Sequence, residues 1–449
     1  VLGSQLVNKR TGEIVWPGLQ DAKDDSLALP IDAANLADNR DDLVASEIVM
    51  SAPLIRFLPE ISVYNSLLRT LEDFGGYKHG DFDNPIEGGD HDTYYIFAYD
   101  WRRDNVESAQ LLMQKIVRLK ERLNRPDLKF DVIAHSMGGL VARYAAMYGD
   151  RDVLNLPGEL NPDWAGAKHF SRLMMFGTPN LGSMDAMGTL LLGYSVLGSE
   201  LPRLKLISKL DRDTVFTIPS TYQLLPHQDN ARFYDRELQP LKIDIYDVEV
   251  WRQYGWSIAC DKEFIRNERK QLLKKRKGEK GEAITAQVDE EIEHLANTRT
   301  SFLKLALERA KNFHRALDVM TAPPDSMQWY LFGGDCEPTL DGVVICEVKG
   351  KLMPFFRVSR AIGNKTLRRR AESLMFSPGD GRVTRRSLFG LPHALPKDLS
   401  ADIAGGGSSL PRVVPRPAQA IFHCEVHGDL PLNSTVQNNL LTVLLGNSY

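Results

Sequence analysis

Apolar residues along the chain change period in a regular order. Asp92 to Tyr99 is a run of β-favouring residues, and from Val106 to Leu123 apolar side chains recur at helical spacing (Leu111, Leu112, Ile116, Leu119, Leu123). Phe130 to Ala134 then reads as a short buried strand and Leu140 to Met147 as the helix after it. Further strands are predicted at Arg172 to Phe176, Met327 to Phe332 and Ala418 to Cys424, with a closing helix from Ser434 to Leu445. Alternation of strand and helix predicts an α/β fold with a mostly parallel central sheet and helices on both faces. Because its strands come from both ends of the chain, residues 1–449 read as one domain, with 184–325 as an inserted cap region.

The middle of the chain differs in character. Residues 261–315 hold 14 Lys or Arg and 10 Asp or Glu, a density that predicts a solvated helical hairpin broken at Gly278 to Gly281, either an inert arm or a cap over a site. Ala404 to Ser409 with Pro411, Pro415 and Pro417 reads as a surface loop.

Composition narrows the function. With 43% hydrophobic and 25% charged residues in 449, the chain suits a sizeable core, and a net charge of −4 lacks the basic excess that nucleic acid demands. The longest apolar stretch, near Leu190 to Leu197, is too interrupted to span a membrane, so contact with one is expected to be peripheral. A soluble protein is expected, cytoplasmic somewhat more than secreted, of open oligomeric state. Four cysteines without paired metal spacing argue against structural zinc; Cys336 and Cys346 are close enough in sequence to pair, although free thiols are the plainer expectation.

The sharpest chemical signal is Ala134-His-Ser-Met-Gly-Gly139 between a strand and a helix. A nucleophile elbow there lifts Ser136 Oγ above the sheet and needs small residues two positions either side, which Ala134 and Gly138 supply. The amide of Met137 becomes an oxyanion donor at the positive end of the following helix. A serine nucleophile needs a histidine base and an orienting acid, in the chain order Ser, acid, His. The acid candidates are Asp335, Asp341 and Asp380, with the Gly-flanked turn around Asp380 preferred. The base candidates are His393, His423 and His427; His427, just past the last strand, is preferred and His423 is the fallback. His135 is read as structural. In Tyr99-Asp-Trp-Arg102, Trp101 and Arg102 either line a pocket or clamp a polar head, or Arg102 simply braces Asp100; Gly177 to Ser183 is read as a rigid turn.

The set LGS-L at the start, YDWR, AHSMGG, GTPNLGS, the GDG turn and a late His before a closing helix resembles the lecithin:cholesterol acyltransferase family, with its lysosomal phospholipases and bacterial relatives. The resemblance spans the chain except residues 261–315. It implies an α/β-hydrolase fold, a Ser136, Asp380, His427 triad, oxyanion donors at Met137 and Val1, and acyl transfer or hydrolysis of lipid esters without cofactor or metal. In the family a Pro-Gly pair precedes the position of Val1, so the chain is expected to begin within the oxyanion loop. The cysteine-closed lipid loop of the plasma enzyme has no counterpart, since no cysteine precedes Cys260. The alternative is a catalytically silent hydrolase-like scaffold that binds a partner through its charged arm.

Overall fold

The computed structural model describes residues 2–17, 27–53, 60–62, 64–86, 88, 92–195, 209–276, 282–390 and 418–446. The N-terminus forms a small antiparallel sheet of β1 (Ser4–Asn8), β2 (Ile14–Trp16) and β3 (Leu43–Ile48) in the order β2-β1-β3. Helix α1 (Asn105–Arg122), strand β4 (Phe130–His135), helix α2 (Met137–Tyr148) and strand β5 (Phe170–Phe176) follow. A helical hairpin, α3 (Lys262–Lys275) and α4 (Glu282–Leu317), precedes β6 (Gln328–Gly334). Then come β7 (Glu337–Leu340), β8 (Phe376–Gly379), β9 (Ala418–Phe422) and the closing helix α5 (Ser434–Leu445).

The central sheet is parallel throughout, in the order β9-β6-β5-β4. Alternation along β5 shows why it needs cover on both faces. Leu173 and Met175 enter one apolar layer with Leu140, Val141 and Ala145 of α2 and Ile116 of α1, whereas Met174 and Phe176 enter another with Val436 and Leu440 of α5 and Leu68 and Leu71 of the Asn65–Asp73 helix. The fold is thus α/β, with a parallel sheet between helical layers. No helix of the described residues is long and apolar enough to cross a membrane.

Three expectations need correction. The strand expected over 92–99 is regular only at Thr93–Tyr95, where it pairs with Lys78–Gly80. Its continuation through Ile96, Phe97 and Tyr99 faces β4 across an apolar cavity of about 380 Å³.

The charged hairpin is exposed in only one of its arms. Helix α3 buries no residue and is held to the first half of α4 by ion pairs such as Arg299 to Glu268 (2.6 Å) and Arg269 to Asp289 (2.5 Å). The second half of α4 is core: Phe302, Leu303, Ala306, Leu307, Ala310 and Phe313 form a stripe at helical spacing with almost no exposed surface. Its last-turn carbonyls are satisfied by buried donors, Tyr148 Oη to Ala316 O (2.8 Å) and Arg143 to Leu317 O (3.0 Å). Averaged charge density hid this stripe. The Gly278 to Gly281 break and the Gly- and Pro-rich segment from Ala404 lie outside the described residues.

The cysteine pairing also differs. Cys336 is bonded to Cys424, with Cα atoms 4.7 Å apart, while Cys346 and Cys260 are buried free thiols. The parallel register matches Gly334 with Phe422, which brings the residues two positions on, Cys336 and Cys424, opposite each other. Cys346 instead points into the separate apolar cluster around Ile362 and Met375.

Two buried histidines make the fold sensitive to acid. His314 is pressed against His227 (ring centroids 4.0 Å apart) and bonded to Gln223 O and Tyr246 Oη, and burial followed by His227 pushes its pKa down to about 3. Burial, then Lys120 and Lys168, push His169 down to about 4. Both values fall below the unfolded value of 6.5, so protons bind the unfolded chain first as pH falls. The stability lost is about 1.4 kcal/mol per pH unit for each group below pH ~6.5, until its folded pKa is reached. Denaturant unfolding between pH 7 and 4.5 is therefore expected to show declining stability, and His314→Gln should make that slope shallower by about one proton.

Candidate active site

Strand β4 ends at His135 and α2 begins at Met137, so Ser136 must reverse the chain in a single residue. It does so at φ 55° and ψ −126°, a conformation rare for a residue with a side chain. Two backbone bonds hold it there: Ser136 N donates to Phe176 O (2.7 Å) and Ser136 O accepts from Gly139 N (3.0 Å). The tight glycine is not Gly138, where an added Cβ would meet only ordinary contacts beyond 3.7 Å. It is Gly139, where a Cβ would lie 2.0 Å from Thr178 Oγ1.

His427 comes from the loop between β9 and α5, and Asp380 from the turn that ends β8. Asp380 is 1% exposed; its Oδ1 accepts from the amides of Arg382 (3.0 Å) and Val383 (2.7 Å), leaving Oδ2 for His427 Nδ1 at 2.8 Å. A backbone bond, His427 N to Asp380 O (2.8 Å), joins the same two loops. Since an ionised carboxylate only accepts, His427 carries its proton on Nδ1, and Nε2 is left to accept from Ser136 Oγ at 2.9 Å. Three residues 291 positions apart at their extremes therefore form one continuous hydrogen-bonded chain.

Sequence reasoning missed the parts that hold this chain in place. Gly177, at φ 56°, underlies the acid and base: a Cβ there would lie 2.8 Å from His427 Nδ1 and 3.0 Å from Asp380 Oδ2. The available signal was its position directly after a buried strand, at the carboxyl edge of a parallel sheet. His135, read as structural, braces His427. Its Nε2 lies 3.0 Å from the carbonyl of His427 and its Nδ1 3.0 Å from Tyr64 Oη, so Nε2 carries the proton and Tyr64 donates to Nδ1. Burial, and then His427, keep the His135 pKa well below the ordinary histidine range.

The other candidates fall elsewhere. Asp341 is buried against Arg232 (2.8 Å) and Ser377 (2.6 Å), and Asp335 faces His423 Nδ1 at 3.5 Å. His423 lies just beyond β9, its side chain 85% exposed, and not within the strand; His393 and Val1 lie outside the described residues. Met137 opens α2, so its amide has no intrahelical acceptor and is free to meet an oxyanion. Gly3 and Ser4, which follow Val1, line the apolar cavity together with Tyr64, Tyr99, Trp101 and the elbow's flanking residues His135 and Gly138, but not Ser136 itself. Trp101 is buried edge-on against Trp16 and donates to Ser4 O (3.2 Å). Arg102 does not reach the cavity: it is fully buried and spent on Asp100 (2.8 Å) and Asp41 (2.5 Å), so of its two readings the brace on Asp100 holds and the head-group clamp does not. Nor does any described residue of 261–315 line this cavity.

Among solved structures, one chain of the Tle4-Tli4 complex is 13% identical and aligns over 100% of this chain and 98% of its own, with a TM-score of 0.48. Lipase 1 from Pelosinus fermentans is 11% identical over 72% of this chain and 73% of its own (TM-score 0.28), and EstA from Clostridium botulinum is 16% identical over 72% and 66% (TM-score 0.25). No curated protein sequence matches. The model of the lecithin:cholesterol acyltransferase family matches residues 87–317, a span that takes in the elbow and the strand beside it and amounts to just over half of the chain. The chain is therefore a member of the lecithin:cholesterol acyltransferase family.

Proposed function

We propose that this protein is a serine-dependent hydrolase or acyltransferase of lipid-like acyl esters, phospholipid or acylglycerol, working through an acyl-enzyme. The observation that carries the reading is the chain Ser136 Oγ, His427 Nε2 (2.9 Å), His427 Nδ1, Asp380 Oδ2 (2.8 Å); an apolar cavity of about 380 Å³ reaches the residues on either side of Ser136, at His135 and Gly138. Ser136 Oγ attacks the ester carbonyl while its proton passes to His427 Nε2. Asp380 stabilises the resulting imidazolium, and the Met137 amide, with the α2 dipole behind it, faces the oxyanion; Val1 is assigned as its second donor on the family resemblance alone. Collapse of the tetrahedral adduct breaks the ester bond and returns the proton to the leaving alcohol. Water or an acceptor alcohol then attacks the acyl-enzyme, with His427 again acting first as base and then as acid. We read residues 1–449 as a single hydrolase domain elaborated between 184 and 325, taking its substrate from a lipid surface by peripheral contact. No metal or cofactor enters these steps.

Three outcomes follow. Ser136→Ala should abolish esterase turnover, by about 10⁴-fold or more, and fluorophosphonate labelling with it, while circular dichroism stays unchanged. Wild-type protein that resists the probe would instead be a silent scaffold. Asp380→Asn should lower kcat by roughly 10³ to 10⁴-fold, and Asp335→Asn far less; the reverse ranking would move the acid to Asp335. If acyl chains enter the apolar cavity, each added methylene is worth ~0.8 kcal/mol. On a p-nitrophenyl ester series, kcat/KM should then rise about fourfold per carbon until the cavity is full, and a flat series would send the acyl chain elsewhere.

A further inference from the structure

The register that joins Cys336 to Cys424 does more than make a disulfide. Strands β6 and β9 run parallel with Gly334 opposite Phe422, and each is followed by a dipeptide ending in cysteine: Asp335-Cys336 on one, His423-Cys424 on the other. Four metal-ligating side chains of three types are therefore delivered in matched pairs to the ends of neighbouring strands, and three of them meet at one spot. A ring nitrogen of His423 and the sulfurs of Cys336 and Cys424 all lie within 4.8 Å of one another. Asp335 adds a carboxylate: its Oδ1 is 3.5 Å from His423 Nδ1, buried, and without a hydrogen bond. His423 is highly exposed and is not part of the Ser136 chain, so the cluster opens to solvent and leaves an ion a route in.

Tetrahedral zinc takes two thiolates, an imidazole and an oxygen, with metal-ligand bonds of roughly 2.0–2.3 Å. Tetrahedral bonds of that length set ligand atoms roughly 3.3–3.8 Å apart, so the three atoms, already within 4.8 Å of one another, can close on one ion once reduction lets the two sulfurs turn apart. We propose that the reduced protein binds one zinc-type divalent ion at Cys336, Cys424 and His423, with Asp335 as the fourth protein group, and that the disulfide and the metal are alternative occupants of one site. The balance is simple. A dithiol or phosphine reductant supplies two electrons, and two protons convert the disulfide to two thiols; the ion then displaces those two protons as two metal-sulfur bonds form. Either occupant staples the ends of β6 and β9. Cys424, at φ 55°, opens the turn that delivers His427 three residues later, so the staple lies on the base's own loop. The inference does not depend on the proposed reaction.

The test uses the full chain, reduced with a phosphine without oxygen and titrated with Zn²⁺ against a chromophoric chelator. One ion per chain is expected for the reduced protein and none for the oxidised. Co²⁺ in place of Zn²⁺ should give thiolate-to-cobalt charge-transfer bands. His423→Ala, an exposed position, should weaken binding at least about tenfold, Asp335→Asn about tenfold, and Cys336→Ser about a hundredfold or more. Cys260 and Cys346 remain in all of these variants. Binding that survives Cys336→Ser unchanged, or that ignores His423→Ala, would place the ion elsewhere and overturn the proposal. So would a reduced, folded protein that binds no zinc, or a reduced chain that loses its fold even with zinc present.

Discussion

Close approach of backbone segments at the carboxyl edge of the sheet is the constraint on which the site depends. Ser136 reverses direction within one residue, in a conformation that its Cβ resists, and the ladder bond from its amide to Phe176 O holds it there. The next turn can then pass beneath only if it carries no side chain at Gly139, because Thr178 already fills that space. One strand over, Gly177 lets the Asp380 and His427 side chains lie on its backbone, and Gly334 lets the carbonyl of Glu425 come within 2.1 Å of where a Cβ would stand. Between them, these glycines admit the segments that carry Asp380 and His427 to Ser136.

At this crowded edge one of two neighbouring histidines, His135, is held neutral. His135 and His427 lie with ring centroids 4.9 Å apart, and a second cation at that distance in a partly dehydrated site would oppose the first. Burial and the neighbouring ring hold His135 neutral, and Tyr64 and the His427 carbonyl consume both of its ring nitrogens. It therefore acts as an oriented dipole, with an N–H directed at the backbone carbonyl of His427. Asp380 is fixed in a similar manner, one oxygen committed to two amides and the other to His427. Such second partners convert three flexible loops into one geometry.

What could be read from the chain divides along physical lines. The amphipathic helix around Leu112 and Ile116 and the closing helix from Ser434 were legible, because a buried stripe leaves a period in the sequence. The elbow was legible because a serine between a strand and a helix needs a recognisable string of small residues, although the crowded glycine proved to be Gly139 and not Gly138. The Cys336 to Cys424 pairing depends on the register of two strands distant in the chain, and no local pattern records register. The buried half of α4 was lost in a window whose average charge came from its exposed neighbour. Arg102 shows a further limit: its brace on Asp100, two residues away, was one of its legible readings, but its second carboxylate, Asp41, lies 61 residues away in sequence and was not legible.

Fold stability and site geometry have different sources in this molecule. The two apolar layers on either side of β5 supply the burial that drives folding, and the side chains that make them, Leu173 and Met175 on one face and Met174 and Phe176 on the other, are apolar; only the backbone of Phe176 bonds to the Ser136 chain, through its carbonyl to Ser136 N (2.7 Å). The hydrogen-bonded groups at the carboxyl edge add little net energy, because each has exchanged water for a protein partner. What they add is definition: leaving any one of them buried and unpaired costs far more than making the bond returns. A chemistry that needs tenths of an ångström is thus placed where polar groups have few alternative partners. The same sheet carries the long helix α4 into its apolar layer, so the charged hairpin is anchored to the core through Phe302, Leu307 and Phe313 and does not lie on the molecule as a separable lid.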